Sequence, residues 1–277
     1  MRLAIRHVTT YTYAPAADGL ALRLRLFPIQ TVQQRPVSWQ VSVNEEVVRP
    51  LVVSGFGEGE ALWFSRRKDD RVEIVVEGVI ETEDKAGVLG QMGRARPGIF
   101  LRETALTAPG EAVVGLAEKV EGAGVLDRLH ALNAVLHEAL EYRKGVTEHR
   151  TTADQAAALG AGVCQDFAHV FIAAARHLGV PARYVVGYLQ DDDARETASH
   201  AWAEAHVDGL GWVGFDPVRD VCPADHHVRL CTGFDADDAS PIRGTMRPGS
   251  EEEMAVEVTI SPSQTQSQIQ SQSQSQS

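Results

Sequence analysis

The stretch GAGVCQDFAHVFIAAARHLGVPARYVVGYL (160–189) decides the fold, because it predicts a glycine-flanked turn, an apolar helix and a strand in direct succession. Phe167 and Phe171 recur at helical spacing, and Gly179 predicts the end of the helix. The segment RYVVGYL that follows is rich in β-branched and aromatic residues, which is typical of a strand. Cys164 therefore stands at the first turn of a helix that packs into a core.

The position of Cys164 favours a nucleophile. A free cysteine in apolar surroundings is most often an inert small hydrophobe. At a helix N-terminus, however, the unpaired N–H groups and the positive end of the dipole favour the thiolate. The same N–H groups can donate to a developing oxyanion, which suits acyl transfer. Other polar residues of these elements are predicted to be structural: Asp166, His169, His177 and His206.

The segment SHAWAEAHVDGLGWVGFDP (199–217) predicts an antiparallel hairpin that supplies the partners such a thiolate needs. His200 opens the first strand, after a polar loop, as the candidate base. Asp216 ends the second strand as the acceptor that orients the imidazole. For the two side chains to share a face, the loop must contain an odd number of residues or the pair must be bulged. A three-residue loop over 207–209, with a left-handed glycine, meets this requirement.

The residues before the opening stretch predict two further helices. In VLDRLHALNAVLHEAL, Leu129, Leu132 and Leu136 recur at three- and four-residue steps, so one face belongs to a core. Thr152 followed by Gln155 predicts a capping box at the start of a short helix, which a glycine then ends.

The first 85 residues predict a separate β domain. Alternation and β-branched residues mark strands within segments 22–28, 37–43, 61–66 and 71–82. Short strands at this spacing favour a sandwich or half-barrel. The predicted organisation is a β-sandwich-like domain over 1–95, a linker over 96–110, an α+β core over 111–260 and a disordered Ser/Gln-rich tail over 261–277.

Three motifs together resemble the transglutaminase-like superfamily: GVCQDFAH, PARYVVGYL, and SHAWAEAHV followed by GWVGFDP. The segments YTYAPA and LRLRLFP are similar to the β-rich domain that precedes this core in bacterial members. The resemblance implies a papain-like α+β fold with the cysteine-bearing helix packed on an antiparallel sheet. It also implies that Cys164 is the nucleophile, His200 the general base and acid, and Asp216 the group that orients the imidazole. Trp202 and Glu204 belong to the same motif and are expected to be walls of the substrate cleft.

The predicted function is thiol-dependent acyl transfer or hydrolysis at an amide bond, as in a cysteine peptidase or amidase. One alternative is a cross-linking transglutaminase, because an amine can replace water in resolving the thioester. A second is a catalytically silent interaction module. A third is a zinc-binding protein, since residues 222–231 contain two cysteines and two histidines, although their spacing departs from the usual paired form. The favoured interpretation needs neither a cofactor nor a metal.

Composition limits the partners. The formal net charge of −12 argues against nucleic acid or an anionic membrane as the main partner. No signal peptide and no run of about 18 apolar residues is recognisable. The three cysteines do not make a disulfide framework. We therefore expect a cytoplasmic protein that acts on a peptide or protein; its oligomeric state is left open.

Overall fold

The computed structural model describes residues 1–190 and 199–263. Most of the predicted polar loop after residue 189, and the predicted tail beyond residue 263, lie outside the described residues. The helices are α1 (Glu111–Ala117), α2 (Val125–Ala139), α3 (Ala153–Leu159) and α4 (Cys164–His177), with a 3-10 helix at Pro97–Leu101. The strands are β1 (Arg2–Asp18), β2 (Ala21–Phe27), β3 (Gln34–Val43), β4 (Glu46–Val48), β5 (Val52–Val53), β6 (Gly59–Phe64), β7 (Lys68–Thr82), β8 (Val88–Gly90), β9 (Glu141–Tyr142), β10 (Ala161–Gly162), β11 (Ala182–Leu189), β12 (Ser199–Val207), β13 (Gly211–Phe215), β14 (His227–Gly233), β15 (Ile242–Thr245) and β16 (Glu251–Pro262).

An antiparallel sheet in the order β14-β11-β12-β13-β8 forms the centre of the core region. Helix α4 lies against it, and the alanines of β12 leave room for the helix to approach closely. Phe171 of α4 stacks on Phe215 of β13, with ring centroids 5.1 Å apart. α4 is buried on nearly every side, and its buried residues include the polar Asp166, His169 and Arg176 as well as apolar side chains. The predicted α+β fold, with the cysteine-bearing helix on an antiparallel sheet, is confirmed.

The approach to α4 is fixed by a capped helix and a tight turn. Thr152 Oγ1 accepts the Gln155 N–H at 3.2 Å, and Gln155 Oε1 accepts the Thr152 N–H at 2.9 Å, so the predicted capping box is present. Gly160 ends α3 with a left-handed φ of 66°. The chain then pairs in parallel with β9 before α4 begins, which sets the position of Cys164.

The β12–β13 hairpin has the odd loop that the sequence predicts, one residue later than expected. Its loop is residues 208–210, with Gly209 at φ 85°, and Val207 pairs with Gly211. Pairing partners are therefore displaced by two residues from the predicted register. Because side chains alternate with a period of two, this displacement leaves His200 and Asp216 on one face.

The β-rich domain consists of two sheets, in the orders β16-β1-β7-β3-β4 and β15-β2-β6-β5, which share one hydrophobic core. Strands from the end of the chain complete both sheets: β15 pairs with β2, and β16 pairs with β1. Conversely, β8 joins the central sheet beside β13. The predicted division puts β8 in the domain over 1–95 and puts β15 and most of β16 in the core over 111–260. The observed pairing instead places β8 in the central sheet and places β15 and β16 in the β-rich domain.

The segment predicted to be a linker, 96–110, is packed rather than free. Phe100 and Thr107 are fully buried. Arg176 of α4 donates to the Phe100 carbonyl at 2.8 Å and to Thr107 Oγ1 at 2.6 Å. This segment therefore anchors the far end of α4. No helix in the described part of the chain is long and apolar enough to cross a membrane.

Candidate active site

The turn that presents Cys164 is held by Asp166. Asp166 Oδ2 accepts the Val163 N–H at 2.8 Å and the Thr147 hydroxyl at 2.7 Å. A Cβ on Gly162 would lie 2.6 Å from the same oxygen, so only glycine fits there. Asp166 thus fixes the first turn of α4, in agreement with its predicted structural role.

His200 lies between the other two predicted site residues. Its Nε2 is 2.7 Å from Asp216 Oδ2, and the Cys164 side chain lies close enough to the ring to contribute to its pKa. Since Nε2 faces the carboxylate, Nδ1 is the nitrogen left for the sulfur. Cys164 is half-buried, whereas His200 is 9% exposed and Asp216 is fully buried. The three side chains that the sequence singled out therefore lie together.

The charges of the pair favour an imidazolium beside a carboxylate. Burial alone lowers the pKa of His200, but the hydrogen bond and charge of Asp216, with a contribution from Cys164, raise it to about 10. Burial likewise tends to raise the pKa of Asp216, but the imidazoles of His200 and His227 hold it well below its usual range. His200 is therefore protonated and Asp216 ionised at neutral pH.

A second imidazole, which sequence reasoning missed as a site residue, also contacts this carboxylate. His227 Nε2 is 3.2 Å from Asp216 Oδ2, and His227 Nδ1 accepts the Ala224 N–H at 3.2 Å. In the sequence, His227 stands out only as a candidate zinc ligand within residues 222–231. No local pattern relates residue 227 to residue 216, because β14, which begins at His227, is placed by its pairing with β11.

Trp202 lies beneath the two imidazoles instead of along an open cleft. It is 2% exposed, stacks with His200 at 6.1 Å between ring centroids, and meets the ring of His227 edge-on at 5.4 Å. This corrects the expectation that Trp202 is a cleft wall. The indole packs against the imidazole rings of both His200 and His227.

Glu204 has a different surrounding from the one expected. It is fully buried and lies between two guanidinium groups: Oε2 is 2.7 Å from Arg183 Nε, and Oε1 is 2.8 Å from Arg229 Nε. The expectation that Glu204 lines the substrate cleft is therefore corrected as well. The motif that includes Glu204 gives no information about which side chains cover this part of β12.

The remaining histidines of these elements have structural partners. His169 Nε2 accepts the Ala236 N–H at 3.0 Å, and His206 packs edge-on against Trp212 at 5.4 Å. The exposed His177 is the last residue of α4, where a cation suits the helix dipole.

The zinc alternative over residues 222–231 is not supported by the geometry. Cys231 Sγ donates to the Ala239 carbonyl at 3.1 Å, whereas His227 faces Asp216. Within residues 1–190 and 199–263, one group of potential ligands has its atoms within 4.8 Å of one another, namely His200, Asp216 and His227. Hydrogen bonds already account for that proximity.

Two family models match this sequence. The transglutaminase-like superfamily core covers residues 114–217, and the bacterial transglutaminase-like N-terminal region covers residues 3–81. The chain belongs to the transglutaminase-like superfamily. The core match includes Cys164, His200 and Asp216, and the N-terminal match corresponds to the β-rich domain. Membership in this superfamily supports a thiol-dependent enzyme.

Relatives of this transglutaminase-like chain match it over nearly its whole length. An uncharacterized protein of Mycobacterium leprae is 26% identical over 278 residues, covering 93% of this chain and 98% of that protein. An uncharacterized protein of Mycobacterium tuberculosis is 23% identical over 288 residues, covering 94% and 91%. The crystal structure of a "putative cysteine protease" from Cytophaga hutchinsonii superimposes with a TM-score of 0.72 at 23% identity, covering 96% and 92%. This likeness shows a shared fold that includes the β-rich domain.

Proposed function

We propose that the protein is a cysteine peptidase or amidase that hydrolyses an amide bond of a peptide or protein. One observation carries the proposal: His200 lies 2.7 Å from Asp216, and the Cys164 side chain adjoins the same imidazole. This is the order of contacts that a nucleophile, a general base and acid, and an orienting acceptor require. The cytoplasmic location and the peptide or protein substrate remain predictions from the sequence.

Acylation would begin with the thiolate of Cys164. Its sulfur attacks the carbonyl carbon of the amide, and the carbonyl electron pair moves onto the oxygen. In the first turn of α4 the Asp166 and Phe167 N–H groups already donate to the Val163 carbonyl, so the N–H groups of Cys164 and Gln165 are the ones that can donate to this oxyanion. As the tetrahedral intermediate collapses, His200 gives its proton to the nitrogen, the C–N bond breaks, and an amine leaves. A thioester on Cys164 remains.

Deacylation reverses these roles. His200 takes a proton from water as the water oxygen attacks the thioester carbonyl. The C–S bond then breaks, which releases a carboxylic acid and restores the thiolate and imidazolium. If an amine attacks in place of water, the product is a new amide, so the nature of the second nucleophile separates hydrolysis from cross-linking.

The first test measures how fast each cysteine is alkylated by iodoacetamide at pH 7, with peptide mapping by mass spectrometry. An ordinary thiol is only about 3% ionised at that pH, so a thiolate paired with an imidazolium should react at least about tenfold faster. We expect Cys164 to react fastest and His200→Ala to lose this advantage. Cys222 is an internal control, because burial raises its pKa to about 11.

The products then identify the reaction. The wild type and Cys164→Ala are incubated with glutamine-containing peptides and a primary amine. Backbone cleavage that requires Cys164 supports a peptidase, and ammonia release without amine incorporation supports an amidase. Amine incorporation would replace the hydrolytic proposal with cross-linking. Equal alkylation of Cys164 in the wild type and in His200→Ala would instead indicate a catalytically silent module.

A further inference from the structure

We propose that His227 is a positioning residue whose neutral ring holds the carboxylate of Asp216 in the orientation that His200 requires. The inference deepens the proposed function and rests on it. His227 does not reach the sulfur in this scheme; it acts through Asp216. The observation behind it is that two imidazoles share one oxygen of a buried carboxylate.

The hydrogen bonds of His227 define its tautomer. The Ala224 N–H points at His227 Nδ1 from 3.2 Å, so Nδ1 accepts and carries no proton. The proton of the neutral ring must then be on Nε2, which lies 3.2 Å from Asp216 Oδ2. His227 is thus a donor to Asp216, and a backbone group outside the site fixes the direction of that donation.

The carboxylate of Asp216 is held at both oxygens. Oδ2 accepts from His200 and His227, and Oδ1 accepts the Val218 N–H at 3.1 Å. These donors come from β12, from the start of β14 and from the segment after β13, so they restrain the carboxylate from different directions. If a buried carboxylate loses one of its hydrogen-bond donors, the free-energy cost of removing it from water is no longer fully offset. It would turn or draw in water, and its alignment with His200 would be lost.

The two imidazoles differ in charge. Burial lowers the pKa of His227, and the neighbouring rings of His200 and His226 add to this effect against the attraction of Asp216. His227 therefore stays neutral while His200 carries the proton. Asp216 is the ionisable side chain that both imidazoles share. Cys164 adjoins His200, whereas His226, which is paired with Asp225, adjoins His227.

A set of variants tests this role through the alkylation rate of Cys164 and, once a substrate is known, through kcat and KM. His227→Leu removes the donor, whereas His227→Gln keeps an N–H near the position of Nε2. We expect a loss of about tenfold in His227→Leu, the usual effect of one hydrogen bond to a charged group, with KM unchanged. His227→Gln should recover most of it. His177→Leu, at the exposed far end of α4, is the matched control and should leave the rate unchanged.

The pH profile separates positioning from simple loss of structure. An N–H donor favours the ionised carboxylate, so removing it raises the pKa of Asp216. The fall in activity on acidification should therefore begin at a higher pH in His227→Leu than in the wild type or in His227→Gln. A uniform decrease with an unchanged profile, not recovered by glutamine, would overturn the proposal.

A measurement on the wild type keeps the inference testable if His227→Leu fails to fold. In a histidine-labelled sample, 15N NMR should show His227 protonated at Nε2 and without a proton at Nδ1 between pH 7 and pH 8. An imidazolium or an Nδ1–H tautomer at pH 7 would overturn the inference. If the wild type shows His200-dependent reactivity and His227→Leu matches it, only this inference fails. If Cys164 reacts no faster than in His200→Ala, both proposals fail.

Discussion

Gly187 shows how a single residue shapes the site by lacking a side chain. It pairs with His200 across β11 and β12. A Cβ at this position would lie 2.1 Å from the Val228 carbonyl oxygen and 2.7 Å from Cη2 of Trp202. The indole therefore occupies the space above the glycine, which is how Trp202 comes to support both His200 and His227.

Gly187→Ala is expected to cost about 1–3 kcal/mol of unfolding free energy, because the clash is partly with backbone and cannot relax by a rotamer change. It should also slow alkylation of Cys164, since Trp202 must move away from His200. Urea unfolding and the alkylation rate are the measurements. Gly115→Ala is the control, since its Cβ would meet nothing within 4 Å and alanine favours a helix interior. A Gly187→Ala protein as stable as the wild type would contradict this account.

Local motifs identify some site residues and miss others for a physical reason. Cys164 and His200 each stand at the start of an element, so their positions follow from local periodicity. The motif that resembles the family includes Trp202 and Glu204, but it carries no information about what covers their face of β12. The contact of His227 with Asp216 depends on strand pairing between distant segments, which no single stretch of sequence encodes.

At the scale of elements, the first turn of α4 is the part on which the chemistry depends. Asp166→Ala removes the acceptor of the Val163 N–H and of the Thr147 hydroxyl. We expect a loss of about 1–2 kcal/mol, as for other helix N-terminal caps, and a slower alkylation of Cys164. Thermal unfolding and the same rate measurement check this.

Thr147→Val is the matched control for that prediction, because it deletes one of these two hydrogen bonds and leaves the backbone contact. Its effect should be smaller than that of Asp166→Ala on both stability and rate. If Asp166→Ala lowered stability but left the Cys164 rate unchanged, the turn would support the fold without presenting the sulfur.

Elements differ in how far the sequence determines them. The ends of α3 and α4 follow from a capping box and from glycines, which act within a few residues. The β12–β13 loop shows an intermediate case: facing side chains require an odd loop, but 207–209 and 208–210 satisfy that requirement equally. The pairing of β16 with β1 is non-local, so periodicity predicts at most the strands and not their partners.

At the scale of the whole molecule, a buried ionic network joins the β-rich domain to the central sheet. Glu58 of the β-rich domain lies 2.6 Å from Arg25 Nη2 and 3.1 Å from Arg229 Nη2. Arg229 of β14 also bonds Glu204, which is paired with Arg183. Since β14 begins at His227, the same strand links the domain contact to the candidate site.

Glu58→Gln should destabilise the protein by about 3–5 kcal/mol, because two buried guanidinium groups lose a counter-charge. The transition should remain single when fluorescence and circular dichroism are compared during urea unfolding, because the network spans both regions. Glu77→Gln is the control: Glu77 forms an exposed ion pair with Arg6, and such pairs contribute little. Two separated transitions in the wild type would show that the domains unfold independently.

The return of β16 to β1 has a consequence for the newborn chain. β1 leaves the ribosome long before β16, yet β16 (Glu251–Pro262) is its neighbour on one side. Until translation reaches those residues, β1 has an open edge of unpaired N–H and C=O groups, which is a template for aggregation. The β-rich domain therefore cannot complete this sheet until the core region that precedes β16 has been synthesised.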